Sequence, residues 1–169
     1  MKTERTTFTS ITETPLGKIQ AAARDNALTG LWFIGQKYFP IDTGSYRIEP
    51  DYPVFVSLKS WIDDYFAKKK PKTIIQLTPN GTDFQQAVWK LLLEIPYGET
   101  STYGAIASRL AAAGRKASAQ AVGGAVGHNP ISLLIPCHRV LGSDGSLTGY
   151  AGGLEKKRAL LELEKGNFV

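Results

Sequence analysis

The chain has 169 residues, 43% of them hydrophobic and 21% charged, with a net charge of +5, a profile that suits one folded domain or two small ones. A single cysteine, Cys137, excludes an internal disulfide and any multi-cysteine metal site. With only His128 and His138 as imidazoles, zinc is excluded as well, so neither a metal nor another cofactor is expected.

The opening stretch, MKTERTTFTSITETP, lacks the apolar core of a signal peptide, and no run approaches the ~20 residues of a membrane span. A cytoplasmic protein with a reduced thiol and no membrane partner is expected. FTSITETPLGKIQAAARD and ALTGLWFIGQKY read as strands, broken by Pro15-Leu16-Gly17 and by Asp25-Asn26. Pro53 opens a helix through about Lys69, with Val54, Leu58, Trp61, Ile62 and Tyr65 at helical spacing. Lys68-Lys69-Lys70 at its end complements the helix dipole. TIIQLTP is a last short strand, which makes residues 1–78 an α/β domain and 79–169 a second, mostly helical one.

Thr82 and Gln85 form a capping-box pattern ahead of Phe84, Val88, Leu91, Leu92 and Ile95, and Pro96 stops that helix. Thr100 to Thr102 offer caps for YGAIASRLAA. After a turn containing Gly114, a second helix, ASAQAVGGAVGHN, closes at Asn129-Pro130. Two short helices about a glycine turn outline a helix-turn-helix. Gly123 and Gly124 cost ~1 kcal/mol each inside a helix and leave a surface almost without side chains. Such a surface fits either a tightly packed neighbouring helix or a nucleic-acid groove. From Thr100 to Ser143 there is no Asp or Glu, while Arg109, Arg115, Lys116 and Arg139 are present. That balance suits a polyanion, or a core segment with few charges of any kind.

ISLLIP reads as a buried strand that ends or kinks at Cys137, because Pro136 has no N–H for a ladder. The thiol would then stand at a strand terminus facing a pocket. A free thiol has a pKa of ~8.5, so reactivity needs a nearby base or cation, and His138 and Arg139 are candidates. Neighbours on an extended strand point apart, so His138 helps only if the backbone turns or a water bridges the two. In GSDGSLTGYAGG, glycines flank Tyr150, whose ring can wall a flat pocket. LEKKRALLELEKG is an amphipathic helix on which Glu164 falls close to the apolar side, pointing inward.

NPISLLIPCHRV, followed by TGYAGGLEKK and preceded by YG…AQAVGGAVG, resembles the O6-alkylguanine-DNA alkyltransferases, the methylated-DNA–protein-cysteine methyltransferases. The resemblance covers the chain from Phe84 to Gly166 and, more loosely, the first half through TPLG and YFAKKK. It implies a ribonuclease-H-like N-terminal domain and a winged-helix-like C-terminal domain. It also implies DNA repair by a single-use transfer from O6-alkylguanine, with O4-alkylthymine, in double-stranded DNA entered through the minor groove by a monomer. The damaged base is flipped out, since its O6 carbon lies inside the stack.

By position, Cys137 is the nucleophile, His138 takes its proton through a water, Glu164 holds His138, and Asn129 is the hinge between recognition helix and cysteine loop. Tyr103, Gly104 and Ser143 fall where the family contacts the DNA backbone. Tyr150, Ala151 and Gly152 line the guanine pocket, with Val126 opposite. Where the family usually projects an arginine into the vacated stack, this chain has Gln120, after a turn, AAAGRK, a few residues longer than in the commonest members. The presence of Cys137 separates the chain from alkyltransferase-like proteins that lack the nucleophile. Two other classes remain: a non-catalytic helix-turn-helix DNA-binding protein, which needs base-reading side chains on its second helix, and a thiol hydrolase, which needs an oxyanion hole and turnover.

Overall fold

A computed structural model of the protein describes residues 5–40 and 43–165. Strands β1 (Phe8–Thr14), β2 (Gly17–Arg24) and β3 (Ala27–Phe33) form an antiparallel meander. Asp25 and Asn26, both at positive φ (50° and 57°), make the two-residue turn between β2 and β3, the conformation whose twist matches a hairpin. Short β4 (Arg47–Ile48) pairs parallel to β1, giving the order β3-β2-β1-β4. Helix α1 (Pro53–Phe66) covers the sheet with Val54, Phe55, Leu58, Trp61, Ile62 and Tyr65 buried. Its first turn is capped from a distance: Val54 N–H donates to Asn26 Oδ1 at 3.0 Å.

Two expectations are corrected here. Helix α1 stops at Phe66, and Lys68, at φ 61°, turns the chain away. The lysine run therefore lies beyond the helix, where Lys69 pairs with Asp64 at 3.7 Å. TIIQLTP is no regular strand; Leu77 makes one bridge with Leu28, closed by Leu28 N–H to Gln76 O (2.9 Å) and Thr78 N–H to Leu28 O (2.8 Å).

In the C-terminal half, α2 (Asp83–Leu92) starts with the full capping box: Gln85 N–H donates to Thr82 Oγ1 at 3.1 Å and Thr82 N–H to Gln85 Oε1 at 3.0 Å. Strand β5 (Ser101–Thr102) leads into α3 (Tyr103–Ala112), and α4 (Ala119–Gly127) follows. Thr102 and Ser118 cap these two helices through their hydroxyls, each at 3.0 Å. Strand β6 (Val140–Leu141) pairs parallel to β5, and α5 (Leu154–Lys165) ends the described chain. Trp89 Nε1 donates to Ala125 O at 2.9 Å and ties α2 to α4.

ISLLIP is not a strand either. Ile131 makes a single bridge to Leu31, through Leu31 N–H to Pro130 O (2.8 Å) and Ser132 N–H to Leu31 O (2.9 Å). The segment then coils, with Leu133 at φ 69° and Ile135 N–H donating to Ile131 O at 3.1 Å. Its apolar side chains are buried because it lies between the sheet and the helices, and a short apolar run reports burial rather than conformation. One apolar cluster runs through both halves, from Ile19, Phe33 and Leu58 to Leu92, Val122 and Leu160. Among the described residues no helix is long and apolar enough to cross a membrane.

Candidate active site

Cys137 opens a one-turn 3-10 helix, Cys137–Arg139, between the coiled apolar segment and β6. The backbone therefore turns at the thiol, and neighbouring side chains need not point to opposite faces. Asn129 builds the approach. Its Nδ2 donates to Ile135 O (2.8 Å) and Ile131 O (3.2 Å), and its Oδ1 accepts from Ile131 N–H (3.0 Å). One buried amide thus fixes the end of α4 to the loop that carries the cysteine. Burial pushes the Cys137 thiol up, while the Asn129 side chain and the positive charge of Lys157 pull the other way.

His138 is wholly buried, with Nε2 at 2.6 Å from Glu164 Oε2. Since an ionised carboxylate only accepts, the imidazole proton sits on Nε2 and Nδ1 is left as a base. Nδ1 has no hydrogen-bond partner among the described residues. Burial lowers the pKa of His138 against the pull of Glu164, so the ring is neutral at neutral pH. For Glu164 burial acts upward, but the hydrogen bonds of His138 and Arg139, with the charge of Arg139 and that of His138 once acid protonates it, win and hold it at about 2. Arg139, a candidate for the cation beside the thiol, turns elsewhere. Its Nε and Nη2 donate to Glu164 at 2.7 and 3.1 Å, and its Nη1 to Ile95 O at 2.6 Å.

The cation that does act on the thiol is Lys157, which the sequence reading missed. It is fully buried, and Nζ donates to Val140 O (2.6 Å), Thr148 O (2.9 Å) and Gly149 O (3.1 Å). Burial lowers its pKa to about 8, with the charge of Cys137 acting upward. It clamps the strand after the cysteine to the loop that carries Tyr150. The signal was available: Lys157 lies seven residues before Glu164, on the side of α5 that buries Leu160 and Leu161.

The thiol faces a pocket of about 420 Å³ whose lining includes Tyr103, Val126, Cys137, Tyr150 and Ala151. Gly152, expected in that wall, is not one of the lining residues. A Cβ there would come within 2.9 Å of the Tyr150 ring and 3.1 Å of Phe33, so the glycine lets these two rings close up; Gly153 lines the pocket instead. Lys37 and Tyr38 also line it, from the loop after β3. Lys37 N–H donates to Ala151 O at 2.9 Å, and Tyr38 stacks on His128 at 4.0 Å. Nothing in the sequence pairs residues so far apart.

Gly123 and Gly124 line the pocket too, and a Cβ on Gly124 would meet nothing within 4 Å. The two glycines therefore differ: Gly123 lies over the Tyr103 ring of α3, where a Cβ would stand at 3.7 Å, while Gly124 packs on nothing and keeps an outer surface low. On α4 the exposed side chains are Ala119, Gln120 and Ala121. Gly104 and Ser143 are exposed and outside the pocket. Tyr103 is half-buried, its hydroxyl donating to Thr148 O at 2.9 Å. Among the described residues no group of three His, Cys, Asp or Glu is placed to hold a metal ion.

Two family models match almost the whole chain. Residues 83–166 match the 6-O-methylguanine DNA methyltransferase DNA-binding domain, and residues 7–79 its ribonuclease-like domain. A methylated-DNA–protein-cysteine methyltransferase of Mycobacterium tuberculosis is 47% identical over 153 residues, covering 90% of this chain and 89% of that one. One from Methanosarcina barkeri is 43% identical over 162 residues, covering 95% and 99%. The crystal structure of Mycobacterium tuberculosis OGT in complex with DNA superposes with a TM-score of 0.85 at 42% identity, covering 95% of this chain and 94% of that one. Fold, cysteine site and relatives agree: the chain belongs to the 6-O-methylguanine DNA methyltransferase family.

Proposed function

We propose that the protein repairs DNA by moving the alkyl group of O6-alkylguanine onto its own Cys137, once per molecule. The Sγ–carbon bond forms as the carbon–O6 bond breaks, and the bonding pair leaves with the guanine. The thiol loses a proton to His138 Nδ1 through a water, and the guanine gains one, so the chemistry balances without a cofactor. Glu164 stabilises the imidazolium while it exists. The resulting thioether has no leaving group for a second round, which makes the reaction stoichiometric.

The observation that carries this reading is the lone thiol opening into a pocket with a buried Glu164–His138 pair behind it. Tyr150, Ala151 and Val126 bound the base, and Tyr103, Gly104 and Ser143 hold backbone phosphates. Entry through the minor groove is supported by the outer face of α4, and action as a monomer by a pocket, thiol and Glu164–His138 pair that all come from one chain. The groove is only ~6 Å wide, and a face of Ala119, Ala121 and Gly124 gives a helix little bulk to exclude it. A major-groove reader needs several long polar side chains there, and Gln120 is a single one. The test is a time course with methylated oligonucleotide in excess. Transfer should stop at one methyl group per protein molecule; continued turnover would point to a hydrolase instead.

A further inference from the structure

We propose that Tyr65, on the N-terminal helix α1, is a positioning residue of the proton relay: its hydroxyl binds the same Glu164 oxygen that holds His138, and so sets how readily His138 takes a proton. The proposal rests on the alkyl-transfer reading above. Tyr65 is 1% exposed, and its hydroxyl donates to Glu164 Oε2 at 2.6 Å, across 99 positions of sequence. His138 Nε2 lies at 2.6 Å from that same atom. The two donors therefore compete for one pool of negative charge.

The remaining capacity of the carboxylate is taken up from other elements. Arg139 donates from the 3-10 helix to both oxygens, and Gly98 N–H donates to Oε1 at 3.3 Å from the loop after α2. Tyr97 lies on that loop under the Arg139 guanidinium, at 5.8 Å from the ring centre. Lys157 and Arg139 are the positive charges acting on His138, and Tyr150 is a further phenol within reach of Glu164. Packing holds the Tyr65 ring in place: Trp61 stacks on it at 5.1 Å, and Phe66 and Tyr97 meet it edge-on at 5.2 and 6.0 Å. Burial and the adjacent carboxylate both push the Tyr65 phenol far up, so it stays a donor throughout the working range.

The sign of the effect follows from the competition. A hydroxyl donating to Oε2 disperses the charge that would otherwise stabilise imidazolium on His138. With Tyr65 in place, His138 remains neutral to lower pH and can still accept the thiol proton there. Without the hydroxyl, His138 is protonated sooner and is lost as a base at a higher pH. The N-terminal domain would then act on the chemistry directly, through one hydroxyl.

The chain has two histidines, and exposed His128 is an internal reference for an NMR titration of His138. In full-length Tyr65→Phe, the His138 titration should move up by about half to one pH unit, as should the acid limb of the single-turnover rate. His128 should not move. Incorporating 3-fluorotyrosine at position 65, a stronger donor of the same shape, should move both in the opposite direction. Trp61→Phe, which loosens the same packing and keeps the hydroxyl, should lower stability and leave both where they are. The proposal is overturned if folded Tyr65→Phe and the fluorotyrosine protein titrate like the parent, or if Trp61→Phe moves His138 equally. Absence of alkyl transfer in the parent protein, with the His138 shifts intact, would instead overturn the functional reading and leave the coupling standing.

Discussion

On Glu164 a tyrosine hydroxyl, an imidazole, a guanidinium and a backbone amide converge. Glu164→Gln keeps the shape and removes the charge that, in the proposed mechanism, stabilises His138 as imidazolium. Single-turnover transfer should fall about 10²–10⁴-fold, the usual worth of general-base assistance. DNA binding, measured alongside, should change little. Arg139 then loses its buried partner, at a cost of about 3–5 kcal/mol, so the rate is compared at a temperature where the variant is folded. Acid stability follows from the same pair. His138 is lowered from its ordinary value and Glu164 is held at about 2, so both bind fewer protons folded than unfolded. Their stabilisation is complete above pH ~6.5 and should be lost as pH falls, first through the histidine range and then below ~4.3. Denaturant midpoints from pH 8 to pH 4 should show that decline; a midpoint constant across the histidine range would contradict a buried neutral His138. The inward position of Glu164 was legible from the leucines around it. Lys157 shares that stripe, but a lysine inside EKKR reads as solvent-facing until three carbonyls are found on its ammonium.

Helices α2 to α4 were legible because each carries its own punctuation: a capping box at Thr82, hydroxyl caps at Thr102 and Ser118, and glycine or proline after the ends. ISLLIP carries no such local instruction. It is apolar because β3 and the helices enclose it, and its path is fixed by Asn129 and by one bridge to Leu31. No window of sequence contains those partners. The glycine pair of α4 was legible as a low surface, while only the structure separates Gly124, which opens outward, from Gly123, which lies over the Tyr103 ring. Gln120 lies exposed in the first turn of that helix. If it wedges into the stack vacated by a flipped base, it does so without the charge or the planar stacking of a guanidinium. Gln120→Arg should therefore speed repair of duplex DNA and tighten its binding, and leave reaction with free O6-alkylguanine unchanged. Paired single-turnover rates on the two substrates check this. Equal acceleration on both would place residue 120 in the chemical step instead.

The two halves of the molecule join around the cysteine loop. Strand β3 pairs with the segment at Ile131, Lys37 holds Ala151, Tyr38 stacks on His128, and Tyr65 reaches Glu164. The N-terminal half, through β3, the loop after it and α1, thus supports the cysteine loop, the pocket wall and the proposed relay at separate points, and these contacts over long sequence distances are what the sequence could not display. The order of the β-meander and the helical second half could be read locally; their docking could not. All of it positions one thiol, the atom proposed to take the alkyl group. The direct measurement is the intact mass of the protein after mixing with an oligonucleotide carrying O6-methylguanine, followed by mapping of the modified peptide. A gain of one methyl group, located on Cys137 and absent from a Cys137→Ala protein that still binds the DNA, is the predicted result. An unchanged mass while the guanine is restored, or a methyl group on any other residue, would contradict it.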